Sequence, residues 1–432
     1  MRKKLGSSYW KLWSATAISN LGDGISTVAY PWLASAITRS PFLIALAAVA
    51  SRLPWLIFTL PAGVITDRVD RKKIIVAMDF FRGTLTLIVA TFVYLHRESL
   101  PTLNELTSIT DMKTNWTLYF VTLISALLFG FAEVLRDNAA QTFLPSVVEV
   151  ENLEKANGRM WSAEALTNSF IGPPLGSLLV GVAIFLPFFI DAASFFVAAA
   201  LIALISGSFR SKPISEVKEK TNFRVELKEG FSWLWSHTLL RPMAIILGAI
   251  NGIGSFVGAV YILFAQEILH TSVFVFAILG TAGAIGGMLG GSFGPRVSKK
   301  IGSGTSLALV LVTSPIFLLI MGSTSSWQVV WVVTAIETFF AVLWNVITVS
   351  LRQSIIPTQL LGRVNSVYRF FAWGSIPIGI FLGGALVSLM QEILSREMAL
   401  RSTFFVGALL ATLLAIFAIP RLTTARIEAV RS

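Results

Sequence analysis

The chain has 432 residues, 55% of them hydrophobic and only 13% charged, with a formal net charge of +11, whereas soluble domains carry about 25% charged residues. So little polar surface excludes a water-facing globule, and the apolar runs are too many and too long for a single signal peptide, which makes the bilayer the main solvent. Cysteine is absent, which excludes disulfides and thiolate chemistry. The histidines His96, His237 and His270 all fall between apolar runs, so no metal, cofactor or catalytic cluster is expected.

Apolar runs of spanning length fall at roughly 10 to 35, 42 to 65, 74 to 95, 115 to 135, 157 to 182 and 185 to 208. Six more fall at roughly 241 to 265, 272 to 293, 303 to 323, 327 to 351, 365 to 389 and 402 to 419. Twelve spans put both termini on one side. Sorting Lys and Arg by loop gives Arg2, Lys3, Lys4, Lys11, Arg68, Arg71, Lys72 and Lys73, the central loop and the tail on that side, against only Arg39, Arg97, Lys113, Arg396 and Arg401 on the other. The positive-inside rule then predicts cytoplasmic termini in a multi-pass plasma-membrane protein. The basic residues lie between spans rather than on one soluble face, so the net charge reports orientation and not nucleic-acid binding.

The expected organisation is an all-α fold of two six-helix parallel repeats, 1–208 and 241–419, joined by a linker over 209–240 and followed by a tail over 420–432. The second part of the linker, from Val225, mixes charged and apolar residues at helical spacing, the pattern of an amphipathic helix on the inner membrane surface. The halves repeat in sequence. Gly63-Val-Ile-Thr-Asp-Arg-Val-Asp-Arg-Lys-Lys is echoed by Gly291-Ser-Phe-Gly-Pro-Arg-Val-Ser-Lys-Lys, and Arg136, Pro145, Asn157 and Gly176 by Arg352, Pro357, Asn365 and Gly384. Two such repeats are a transporter architecture, with substrate expected near the midplane between them.

The stretch Gly63 to Lys73 resembles the signature loop between helices two and three of the major facilitator superfamily. Leu21-Gly-Asp, Arg52-Leu-Pro-Trp, Asn138-Ala-Ala-Gln-Thr-Phe-Leu-Pro and Glu229-Gly-Phe are similar to the branch containing the enterobactin exporter and macrolide-efflux proteins. The resemblance implies that Gly63 lets helix two approach a neighbour, while Asp67, Arg68 and Arg71 lock the cytoplasmic gate. The alternative is a stop-transfer cluster that only fixes topology. Gly172, Pro173 and Gly176 in the fifth span are similar to the core of the family's antiporter motif, whose earlier glycines are here Arg159 and Asn168. A simple helix kink is the other reading of these residues. The family's helix-four arginine motif is absent from 115 to 135, and Arg52 is the candidate to replace it.

Asp23 and Arg52 lie at similar mid-bilayer depth on consecutive antiparallel spans, where a bare charge costs about 2.5 kcal/mol or more, so a pair between them is expected. It reads either as a structural ion pair or as the proton-coupling group. The polar break around it, Ser19-Asn20-Leu21-Gly22-Asp23-Gly24, suits a cavity lining. Glu337, Asn168, Asn251 and Asn345 are further cavity candidates, with Asn20 beside Asp23. Asp79, Arg82, Glu133 and Arg136 read as gate or structural charges, and Asp191 as an off-centre acid suited to snorkelling or interhelical hydrogen bonding. The expected function is proton-coupled export of a small organic solute, a drug, macrolide or siderophore-like compound, by a monomer using alternating access. A facilitator or importer of a small nutrient on the same fold is the alternative, since a two-state cycle runs either way with its gradients. No residue set supports an enzyme.

Overall fold

The computed structural model describes residues 5–207, 209, 223–357 and 360–431. Among the described residues every regular element is helical. In chain order these are α1 (Ser7–Ile37), α2 (Pro41–Ile57), α3 (Thr59–Arg68), α4 (Arg71–Leu95), α5 (Trp116–Val147), α6 (Leu153–Glu164), α7 (Gly172–Val182) and α8 (Leu186–Ala203). They continue as α9 (Phe223–Ser236), α10 (Leu240–Gly258), α11 (Tyr261–Glu267), α12 (Val273–Ile301), α13 (Ser303–Ser323), α14 (Trp327–Ile355), α15 (Leu361–Met390), α16 (Arg396–Ala418) and α17 (Thr424–Arg431).

Local chemistry sets the ends. Ser40, Asp70, Asn115, Ser326 and Ser395 each accept a backbone N–H of the helix they start, which satisfies a donor that helix geometry leaves orphaned. Ten described helices are long and apolar enough to cross a bilayer, where twelve apolar runs are expected. The first run falls short because Ser19, Asn20 and Asp23 make α1 polar, although its 31 residues are ample in length. The second falls short because α2 stops at Ile57 and the chain restarts as α3 at Thr59, one turn beyond Pro54, whose ring removes a ladder hydrogen bond.

The chain forms two compact units, one of Met1–Pro213 with Ala265–Gly280, the other of Ile214–Phe264 with Thr281–Ser432. In the first unit α1 packs on α7 and α8, and α4 on α5 and α8. Its apolar core at one end gathers Tyr9, Leu12, Ile75, Phe143 and Ile202. The same end holds the α3 to α4 turn, where Asp70 caps α4 and also accepts the Phe209 N–H at 2.8 Å, while Lys72 donates to the Ile205 carbonyl at 2.6 Å. At another site in this unit Arg39, 2% exposed, donates to Gln266 at 2.6 Å, Glu267 at 2.7 Å and the Leu106 carbonyl at 3.1 Å. The segment Ala265–Gly280 is thus tied to the α1 to α2 turn by a buried charge cluster.

In the second unit α10 packs on α15 and α13 on α16, around Met243, Leu307, Trp344, Ile347 and Tyr368. The linker helix α9 docks on α15. Glu229 accepts from Arg363, Phe231 and Trp235 stack on Phe371, and Gly230 lies against the Arg363 backbone.

Candidate functional site

Three helices of the first unit bring charge together inside the apolar bundle. Asp23 of α1 pairs with Arg82 of α4 at 2.8 Å. Arg82 also reaches Asp79, one turn earlier on α4, at 3.4 Å, and Arg136 of α5 reaches the same Asp79 oxygen at 3.3 Å and Asp137 at 3.5 Å. Arg82 is 2% and Asp79 0% exposed, whereas the Asp23 side chain keeps 29%. The Arg82 guanidinium sits between the rings of Phe129 and Phe195, 4.5 and 4.1 Å from their centroids. Both aromatic faces thereby favour the cation. Glu133, one turn before Asp137 on α5, accepts the Trp55 indole N–H at 3.3 Å.

The expected Asp23 and Arg52 pair therefore does not form. Arg52 is exposed on α2. Depth alone pointed to Arg52. Arg82 wins because α4, unlike α2, packs on the same neighbour, α8, as α1 does. Asp79, Arg82 and Arg136, read as gate or structural charges, are the body of the network.

The glycines beside Asp23 pack rather than line a cavity. A Cβ on Gly24 would lie 2.6 Å from the Asn168 carbonyl, and one on Gly172 would run into the Gly24 backbone. One on Gly176 would meet the Ile25 carbonyl. Gly172, Pro173 and Gly176 thus let α7 touch α1 backbone to backbone. Pro173 and Pro174 cannot donate backbone hydrogen bonds, and a π-helical turn, Ala165–Ile171, precedes them. Asn168 lies in that turn with its backbone against Gly24.

The other candidates scatter. Asn20 donates to the Thr16 carbonyl one turn back. Asn251 donates to the Ala372 carbonyl at 2.7 Å and so ties α10 to α15. Glu337 is half-buried on α14 and Asn345 exposed on the same helix, both in the second unit. In the signature loop a Cβ on Gly63 would meet nothing within 4 Å, so the close approach expected there is absent. It occurs at Gly130 instead, against the Ser51 carbonyl and Pro54. Arg68 is exposed and Arg71 reaches the Ser146 hydroxyl at 3.5 Å. The Asp67 side chain lies outside the described residues.

Sequence reasoning missed the weight of Asp191 on α8. Its carboxylate is buried between α1 and α8, 2.6 Å from the Ser26 hydroxyl. The available signal was a lone acid in an otherwise apolar eighteen-residue helix.

A profile of the Major Facilitator Superfamily matches residues 12–380. The multidrug efflux pump Tap of Mycolicibacterium fortuitum is 23% identical over 94% of this chain and 94% of its own. Macrolide efflux protein A of Streptococcus pyogenes is 23% identical over 87% of this chain and 88% of its own. A crystal structure of a bacterial homologue of the iron transporter ferroportin in the inward-facing state superposes with a TM-score of 0.67 at 16% identity, covering 96% of this chain and 99% of that one, which is a likeness of fold.

Proposed function

This chain belongs to the Major Facilitator Superfamily, and from that premise we propose that it is a proton-coupled exporter of organic solutes working by alternating access. It is a multi-span transporter and not an enzyme; the coupling ion, the direction and the substrate class are the proposal. The observation that carries it is the charge balance of the first unit. Among the described residues the carboxylates Asp23, Asp79 and Asp137 pair with only Arg82 and Arg136, while Glu133, on the same helix as Arg136 and Asp137, accepts the Trp55 indole N–H. Unmatched carboxylates in a bilayer take up protons or a cationic ligand, because the bare charge costs too much.

Asp23 keeps 29% of its side chain exposed and Asp137 35%, and of these two only Asp23 holds Arg82, so Asp23 is the group whose proton exchange alters the α1 to α4 contact. Its protonation dissolves the pair with Arg82 and leaves that guanidinium to Asp79, which changes how α1 is held to α4. A proton and a substrate that each prefer one of the two arrangements are coupled by that difference. The efflux relatives at low identity support export of a drug-like or macrolide-like compound. The gate reading of Asp67, Arg68 and Arg71 belongs to the same proposal, and so does the orientation with both termini cytoplasmic.

Inside-out vesicles test it. Acidifying the lumen should drive uptake of erythromycin or ethidium, and addition of either compound should release luminal protons. Uptake indifferent to the pH gradient refutes coupling, and downhill movement alone restores the facilitator reading. Reporter fusions at residue 218 and at the C-terminus should read cytoplasmic, and one after residue 105 external.

A further inference from the structure

We propose that Asp191 is a second proton-carrying acid of the transport cycle, exchanging its proton with Asp23 along the shared face of α1. This rests on the proton-coupled reading above and adds a site to it. Asp191 is 1% exposed, and no cation pairs with it among the described residues. Its Oδ2 lies 2.6 Å from the Ser26 hydroxyl, and its Oδ1 is buried without a hydrogen-bond partner. The adjacent Ser194 hydroxyl donates to the Asp191 backbone carbonyl at 2.8 Å and lies beside the carboxyl group at the Gly22 notch.

The space for this group is made by Gly22. A Cβ there would overlap both Asp191 Oδ1 and the Ser194 hydroxyl, so the bare glycine is a notch that admits a carboxyl group into the α1 to α8 contact. The facing ionisable groups do not neutralise a charge. From α1 these are Asp23 and Tyr30, and from α4 Asp79 and Arg82, the latter engaged by Asp23 and Asp79. α5 meets α8 through Phe129 on Phe195, with Glu133 and Arg136 one and two turns further along. α7 contributes none. An ionised carboxylate buried without a cation or a full set of donors costs several kcal/mol. Asp191 therefore sits as the neutral acid with a short bond to Ser26, in the range of a strong O–H···O contact.

Ser26 and Asp23 are three residues apart on α1 and share a face. The Ser26 hydroxyl, which donates to Asp191 Oδ2 in this structure, turns toward Asp23 for the exchange: the Asp191 O–H bond breaks as a proton passes to Ser26 Oγ, and the Ser26 hydroxyl gives its own proton to Asp23, directly or through one water. Asp191 ends ionised and Asp23 neutral, which frees Arg82. The reverse steps restore the resting pair.

Infrared spectra of the purified protein in lipid at neutral pH read this without a substrate. The wild type should show a protonated-carboxyl C=O band that Asp191→Asn removes, and Ser26→Ala, which keeps the acid, should shift that band by loss of its hydrogen bond. A band unchanged in both variants overturns the assignment. In inside-out vesicles Asp191→Asn should retain erythromycin or ethidium exchange and lose gradient-driven accumulation. If the wild type couples protons and Asp191→Asn couples them equally, Asp191 is a structural acid and only this proposal falls. If the wild type moves solute without protons, the export reading falls and takes the cycle role of Asp191 with it, whatever the infrared band shows.

Discussion

Arg82 is the residue whose removal discriminates best between a network that holds the bundle and charges that merely face water. In Arg82→Gln, Asp23 and Asp79 both lose a partner. Breaking a buried pair by deleting one member costs about 3–5 kcal/mol, and two cation–π contacts add about 0.5–2 kcal/mol each when desolvated. Two features of the structure pull toward the low end. Asp79 keeps Arg136 at 3.3 Å, and Asp23, 29% exposed, can take a proton or water. A loss of about 3–4 kcal/mol is therefore expected, against about 1 kcal/mol for Asp23→Asn, which leaves Arg82 its bond to Asp79 and both rings. The double variant Asp23→Asn with Arg82→Gln should be more stable than the sum of the singles by about 1–2 kcal/mol. Thermal unfolding of the four proteins in one detergent completes the cycle. Additive singles, or an Arg82→Gln variant within about 0.5 kcal/mol of wild type, would show that the contacts store no energy.

Arg52→Gln should leave stability within about 0.5 kcal/mol of wild type, because no ion pair is lost with it; a loss as large as that of Arg82→Gln in the same unfolding assay would restore Arg52 as the partner. Gly176→Ala should destabilise by about 1–3 kcal/mol through overpacking against Ile25, whereas Gly63→Ala, with open space around it, should be neutral or stabilising by up to about 1 kcal/mol, as thermal unfolding will show. His237 caps α10 by accepting the Leu239 and Leu240 N–H groups at its Nδ1, and burial lowers its pKa. Its contribution is thus full above the unfolded value near 6.5, is lost as pH falls toward the folded one, and should leave a pH dependence of unfolding that His237→Asn removes.

Much of the fold was legible because hydropathy is a one-dimensional signal. A bilayer forces each spanning segment to satisfy its own backbone, so length and apolarity predict helices one at a time. The signal failed where the helix itself departs from that rule. Asp23 and its neighbours lower the apolarity of α1, and Pro54 splits the second run into α2 and α3. The signature glycine was read for close packing, yet spacing along one helix does not reveal which neighbour lies opposite. Gly63 faces open space and Gly130 does the packing.

The site was harder, because partners are chosen by lateral packing and not by depth. Asp23 was found from the cost of a charge in lipid, but the same principle named the wrong cation. α2 follows α1 in sequence, while α4 joins it in space through α8. Composition held a better clue than depth. Asp79 and Arg82 are one turn apart on α4, and such a pair in an apolar helix points its two charges at one spot on one face. A third charge there must come from another helix at the same level, and Asp23 and Arg136 supply it. Asp191, named as an off-centre acid, was given too little weight for the opposite reason. It pairs with a hydroxyl and not a cation, so nothing in its own helix marked it beyond being an acid where lipid tolerates few. The mark lay on α1, in Gly22, which the sequence offers as part of a cavity lining and whose missing side chain proves to be the room that a carboxyl group on α8 occupies.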